Sequence, residues 1–509
     1  MVASADHLAT QAGLAMLAFG GNAVDAAIAT NAAIAVTGPH LCGMGGDLFA
    51  LVHHEGEVHC LNASGRAGSG ADSAGLRSAG FSAMPFRHDI RSVTVPGCVD
   101  GWVALHARFG SLPLATLLAP AIALAEDGFP ASPLLVGSVA MLDAGARATL
   151  HELSSQARRP GDRVRRPGVA AALRAVGEGG REAYYLGAFG DGLLALGQGW
   201  FTAADLGRRQ ADWVPALGAD AFGVRLWTVP PNSQGYLTLA AAQLADAAGL
   251  PADPDHEQWA HVLVEAAKLA GHDRPAVLHE AADGQQLLRT IIERAPELDR
   301  ERSAPWPMAG NDGDTTYLCT TDARGTGVSL IQSNASGFGS WLVEPSTGIN
   351  LHNRGLGFSL QAGHPAELRA GARPPHTLSP ALATHGSDLA AVFGTMGGDA
   401  QPQILLQLAA RLFHHQQSPA AAVHAGRWTL AGPTTGFDTW TSGEVPTVHV
   451  EGNAPPEWAA ALRSRGHQVA ARPSFDSGFG HAHAIVRDPA GFWAGAADPR
   501  SRIGSVAGA

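Results

Sequence analysis

The chain of 509 residues contains a single lysine, Lys268; its other basic side chains are arginine. No basic run occurs and the formal net charge is −11, which argues against nucleic acid as a partner. Cysteine is scarce too. Cys42, Cys60, Cys98 and Cys319 lie far apart with no C-x-x-C pair, so free buried thiols are expected and an oxidising compartment gains no support. Long apolar runs are missing: Ala26 to Val36, the longest, is interrupted by Thr30 and Asn31 and is too short to cross a bilayer. The opening residues, Met1 to His7, lack the basic and apolar segments of a secretory signal. A soluble cytoplasmic protein without membrane contact is the simplest expectation.

What the chain does contain is typical of a globular protein, with 46% hydrophobic and 16% charged residues and abundant Gly and Ala. Its length exceeds one ordinary core, so two lobes or one large layered unit is expected. The near-absence of lysine, beside so much Ala, Gly and Pro, reads as genomic bias without functional content. Residues 7–18 and 22–36 read as Ala-rich helices broken at Gly20-Gly21-Asn22. Cys42-Gly43-Met44-Gly45-Gly46-Asp47 is a glycine turn running into a strand, and Glu55-Gly56-Glu57 turns that strand into a second one. Residues 98–210 read as mainly helical, with the arginine-rich 158–166 as a solvated loop. Strand patterns follow at 224–229, 316–321, 326–333, 388–394 and 482–487, with helices near 259–270, 400–414 and 456–465. A helix-rich first part followed by paired antiparallel strands predicts an α+β sandwich of sheets covered by helices.

Three stretches carry the chemistry. Asn311-Asp312-Gly313-Asp314 is turn chemistry that delivers Thr315 and Thr316 to the head of a strand. Phe393-Gly394-Thr395-Met396-Gly397-Gly398-Asp399 ends a strand on a glycine pair, and Asn62-Ala63-Ser64-Gly65-Arg66 places an arginine after a turn. Each alone is most simply a strand start, a turn and a surface arginine. Other chemistries fit less well. A glycine turn that precedes a strand is not a phosphate loop. His256-Glu257-Gln258-Trp259-Ala260-His261 has a five-residue step that sets its histidines about 140° apart on a helix, unlike the i,i+4 pair of zinc hydrolases. The remaining histidines read as scattered and mostly at the surface. No serine has glycine at both −2 and +2, which removes the serine-hydrolase elbow. No metal and no cofactor are expected.

Together, and in this order with Gly20 to Ala27, Val95 to Trp102, Gly348-Ile349-Asn350-Leu351, His376-Thr377-Leu378-Ser379-Pro380 and Asp498-Pro499-Arg500-Ser501, these stretches resemble the gamma-glutamyltransferase family of N-terminal-nucleophile hydrolases. The resemblance spans some 480 residues. It implies a four-layer αββα sandwich, made as one precursor and cut between Asp314 and Thr315 into a large part (1–314) and a small part (315–509). It further implies Thr315 as nucleophile with its own new α-amine as base, and Gly397 and Gly398 as backbone oxyanion donors. Arg66 would hold a substrate carboxylate. Ser333, Thr316, Thr377 and Ser379 would line the site. The implied partners are a small-molecule amide and the two fragments of one precursor, with a homodimer of processed heterodimers allowed.

The pattern departs from typical gamma-glutamyl enzymes at three points. Tyr317 replaces a His after Thr-Thr, Ala335 replaces an Asn, and Leu356 and Gly357 replace the aspartates that hold the glutamate amino end. The chain thus resembles the amidohydrolase-like branch, and a small amide bearing a carboxylate but no α-amine is the expected substrate, such as oxamate. A true gamma-glutamyltranspeptidase, a cephalosporin-type acylase and an uncut, inactive binding protein are the alternatives.

Overall fold

The computed structural model describes residues 1–306, 314–431 and 445–509; of Asp314 only the backbone is described. The turn at Asn311-Asp312-Gly313 lies outside the described residues.

The chain begins with a strand, Val2–Ser4, and a helix, His7–Ala18, which Asp6 caps by accepting from Leu8 N. Helix Ala23–Thr37 starts on a capping box formed by Asn22 and Asp25, and every one of its residues is buried. Its alanines allow close approach to the sheet beneath, where Asn31 Nδ2 donates to Gln332 Oε1 at 3.0 Å.

That sheet has seven strands, in the order Ser505–Ala507, Val2–Ser4, Asp314–Thr321, Gly327–Ala335, Asp47–His54, Glu57–Ala63 and Asp212–Val214. A second sheet of six strands runs Trp493–Ala497, Ala482–Arg487, Asp388–Thr395, Ala381–His385, Val224–Thr228 and Leu217–Ala221. Between them lies an apolar layer containing Phe49, Leu51, Tyr317, Ile331, Leu382, Val392 and Ile485. One helical layer, with Ile28, Trp102 and Leu118, covers the first sheet. Another, built on helices Tyr236–Ala248, Glu257–Gly271 and Gln401–Ala409, covers the second. The result is the four-layer αββα sandwich of an α+β protein. Residues on both sides of position 314 supply strands to both sheets, so 1–314 and 315–509 are interleaved rather than separate lobes.

Two sequence expectations need correction. Within 158–166, Arg166 is not solvated: it is 2% exposed and donates to Glu152 Oε1 and the Gly348 carbonyl. Lys268 is buried too, its ammonium donating to Glu265 Oε1 at 2.7 Å, so the lone lysine has a definite structural role.

Candidate active site

Residues directly opposite one another in an antiparallel sheet project from the same face. Thr315 is opposite Ser333, and Ser333 is opposite Asp47. Tyr317, Ile331 and Phe49, two residues further along each strand, all face the apolar layer between the sheets. Thr315, Ser333 and Asp47 therefore form a polar row at one end of the inter-sheet cleft. All three are almost fully buried, Thr315 at 1% exposed. Thr315 Oγ1 donates to Ser333 Oγ at 3.1 Å, and Ala335 N donates to the same oxygen at 2.8 Å from a left-handed residue (φ 73°) where the strand bulges. Thr316, opposite Gln332, projects to the other face of the strand, toward the helices, and its buried hydroxyl has no hydrogen-bond partner among the described residues. Thr316 is not part of the row.

Small residues make this row. A Cβ on Gly46 would stand 2.3 Å from the Ser333 carbonyl, so only glycine lets the 43–46 turn place Asp47 beside Ser333. Across the cleft, a Cβ on Gly394 would lie 2.1 Å from the Tyr317 ring, so Tyr317 and Gly394 accommodate each other. Beyond Gly394 the chain turns through Gly397 (φ 134°) and Gly398 (φ 52°) into helix Gln401–Ala409. Gln234 Nε2 donates to both the Gly398 carbonyl and the Thr377 carbonyl, tying the glycine turn to the 376–379 segment.

Asp47 is the hub. Its Oδ2 accepts from Arg354 Nε at 2.7 Å and His376 Nε2 at 3.0 Å, with His352 Nδ1 at 3.4 Å. His376 Nδ1 accepts from Leu378 N, so its proton sits on Nε2 and points at Asp47. Burial raises the Asp47 carboxyl, but Arg354 and His376 outweigh that and hold it well below the usual carboxylate range. Burial, aided by Arg354, lowers His376 to about 4, which keeps it neutral.

Arg354 Nη1 donates to Thr377 Oγ1 at 3.1 Å, and both residues face a cavity of about 730 Å³. Its wall also contains Arg274, which pairs with Asp399 at 3.4 Å, and the apolar Met84, Phe86, Leu356 and Phe358. The volume lies in the range of small-molecule sites. Asp399 directly follows Gly398, so the cavity reaches the glycine turn.

The structure thus brings Thr315 and Ser333 together and places Thr377 on the cavity wall, where Asp47 and Arg354 link it to the row; neither Thr315 nor Ser333 is among the described lining residues. Ser379 turns its hydroxyl onto the Thr377 carbonyl and does not face the cavity. Arg66 sits apart: it donates to Asp212 at 2.8 Å, lies 3.7 Å from Glu280 and does not line the cavity. Sequence reasoning gave no role to Asp47, Arg354, His376 or Gln234, although His376 lies in the His376 to Pro380 stretch and Arg354 in the His-Asn-Arg-Gly stretch of the family resemblance. For Asp47 the available signal was a charge heading an otherwise apolar run, Leu48 to Val52. Arg500, fully buried, pairs with Asp498 and Glu451, which makes the Asp498 to Ser501 motif a structural one.

The histidines singled out for a metal do not meet, since His256 caps the helix that contains His261. Among the described residues, His261, Glu265 and His467 do come within 4.8 Å of one another, but the Lys268 ammonium on the same carboxylate opposes a divalent cation.

Two facing sheets between helical layers are the fold of the N-terminal-nucleophile hydrolases. The gamma-glutamyltranspeptidase profile matches residues 9–508, and the chain belongs to that family of hydrolases and transferases. It is 37% identical, across its whole length and 98% of the relative, to the oxamate amidohydrolase proenzyme of Klebsiella pneumoniae. It is 34% identical, over 98% of the chain and 97% of the relative, to the glutathione hydrolase-like YwrD proenzyme of Bacillus subtilis. Among solved structures, the cephalosporin acylase of Bacillus halodurans superposes with a TM-score of 0.89 at 35% identity, covering 99% of this chain and 95% of that one. No helix among the described residues is long and apolar enough to cross a membrane.

Proposed function

We propose that the protein is a self-processing amidohydrolase that cleaves small amides bearing a carboxylate and no α-amine, with Thr315 as nucleophile. The observation that carries this reading is the buried Thr315–Ser333 hydroxyl pair at one end of the inter-sheet cleft. Maturation starts when Thr315 Oγ attacks the Asp314 carbonyl; the acyl group moves from N to O, and water hydrolyses the ester. The freed α-amine, with a reference pKa near 8, then serves as base for the hydroxyl on its own residue.

In turnover, Thr315 Oγ attacks the amide carbon while the α-amine takes the hydroxyl proton. The C–N bond breaks as that proton passes to the leaving amine, and an ester remains on Thr315. Water, deprotonated by the same amine, attacks the ester; the C–O bond breaks, the acid departs and the hydroxyl is restored. Negative charge on the tetrahedral oxygen falls to the backbone N–H groups of Gly397 and Gly398, where one lost donor typically costs about 10²–10³ in rate. Leu356 and Gly357 on the cavity wall offer a substrate ammonium no carboxylate, and the carboxylate among the described lining residues, Asp399, is paired with Arg274, which disfavours gamma-glutamyl donors. The names of the relatives support an amide-cleaving proenzyme. Four buried free thiols favour a reducing compartment, the cytoplasm.

Intact mass under denaturing conditions tests the reading. Two fragments of about 32 and about 20 kDa, dividing 52.3 kDa in proportion to length, are expected, the smaller beginning Thr-Thr-Tyr-Leu. Thr315→Ala should stay whole. A wild-type chain that remains at 52.3 kDa on long incubation removes Thr315 from the role.

A further inference from the structure

The geometry points to Arg354 as the cavity's anion subsite: held in place by Asp47, it would receive the free carboxylate of a dicarboxylic acid monoamide whose amide end reaches Thr315. This rests on the amidohydrolase reading and names the group that selects its substrate.

Asp47 lies two strands from Thr315 in the same cross-strand row, roughly 10 Å between Cα atoms at 4.7–4.9 Å per strand. Its carboxylate is fully buried, an expensive placement unless charge and hydrogen bonds compensate. The compensation comes from Arg354 Nε, His376 Nε2 and His352 Nδ1, all directed at one oxygen. With Nη1 on Thr377 Oγ1, the Arg354 guanidinium is held by two separate segments, and the residue lines the cavity. A fixed planar fork suits bidentate pairing with a carboxylate.

The other arginines nearby are placed differently. Arg66 is engaged by Asp212 and Glu280 away from the cavity wall. Arg274 shares the wall, 3.4 Å from Asp399, and is the rival within the cavity, so R274Q is assayed beside R354Q; a large loss on the acid in R274Q with the preference kept in R354Q overturns the inference. Asp47 touches no substrate in this account and is a positioning residue.

The test uses the full chain and two pairs of amides, oxamate with oxamide and glutaramate with glutaramide, read by ammonia release. Wild type should favour the acid over its neutral partner for whichever length fits. R354Q should lose about 10²–10³-fold in kcat/KM on the acid, as for truncation of a buried charge contact, and change within about threefold on the neutral amide. D47N should raise KM for the acid by about tenfold with a smaller change in kcat, the mark of a misaligned binding group. Were Arg66 the reader, R66Q would take the large loss and R354Q would keep the preference; that result overturns the inference. Should R354Q fail to mature, R354K carries the same measurement: a roughly tenfold loss of preference is expected, and an unchanged one overturns it. A mature wild type that cleaves neutral and acidic amides equally refutes the Arg354 subsite and leaves the amidohydrolase standing. An uncut wild type, inactive on all four, overturns both.

Discussion

Two buried clusters in this protein combine the same kinds of group. Asp47, His352, His376 and Arg354 meet at one end of the inter-sheet cleft; Glu265, His261, His467 and Lys268 meet in the helical layer behind the second sheet. Each has one carboxylate, two imidazoles and one cation, and in each the cation donates to the carboxylate at 2.7 Å. They differ in what lies beyond them. The Arg354 guanidinium faces the cavity, whereas the Lys268 ammonium is closed in by Ser303 Oγ and the Ala304 carbonyl, and none of its cluster lines the cavity. The same set of charged and imidazole groups therefore makes a binding surface in one place and a buried clamp in the other.

The largest effect that would test this contrast is expected at Asp47. Asp47→Ala removes the buried carboxylate paired with the Arg354 guanidinium, so stability should fall by about 3–5 kcal/mol and kcat/KM on acidic amides by about 10²-fold. Urea midpoints and kinetics on the same preparation measure both; a loss of stability alone would make the first cluster a clamp like the second. Glu265→Ala should cost a similar 3–5 kcal/mol or so by leaving Lys268 buried and unpaired. Its folded fraction should keep kcat/KM within about threefold. A tenfold loss there would erase the distinction.

Acid should weaken both clusters together. Burial lowers His376 and His261 to about 4 and His467 to about 3, so each stays neutral in the fold while the unfolded chain takes up its proton near 6.5. Their contribution is complete above pH 6.5 and is lost as pH falls toward 4, with a ceiling of about 1.4 kcal/mol per pH unit for each histidine, less where water reaches the ring. Thermal midpoints should hold above pH 7 and drop from pH 6.5 to 4.5. A midpoint that rises on acidification would mean that these histidines are charged in the fold.

The contrast also explains what could be read in advance. Periodicity located the helices at 7–18 and near 259–270, the strand that follows Thr315 and the strand leading into Gly397, because their burial follows the local pattern. It could not reveal the terminal strands Val2–Ser4 and Ser505–Ala507, each three residues long, which acquire meaning only by pairing with each other across the chain. Thr315 stood out through motif order. Arg354 did not, since its aim depends on Asp47, 307 positions away, and on a register that brings Asp47 beside Ser333. Arg66 was named through the family resemblance, and its pairing with Asp212 and Glu280, equally remote in sequence, could not be foreseen.

The smallest effect is expected from removing both charges of the buried clamp. A carboxylate and an ammonium taken from water lose hydration that their mutual attraction barely restores, so an uncharged pair of similar volume should serve nearly as well. Glu265→Gln combined with Lys268→Met should lie within about 2 kcal/mol of wild type, although each single change leaves a buried charge and costs more. The glutamine carbonyl can still accept from Ala304 N, which now donates to Glu265 Oε2 at 2.9 Å. Amidase activity should not change. The corresponding double change at the cleft, Asp47→Leu with Arg354→Met, should be tolerated comparably in stability yet abolish the preference for acidic amides, because there the cation has a second partner to meet. If the Glu265/Lys268 double variant also altered substrate preference, the second cluster would be coupled to the cavity through helix Glu257–Gly271, and the two clusters would be parts of one site.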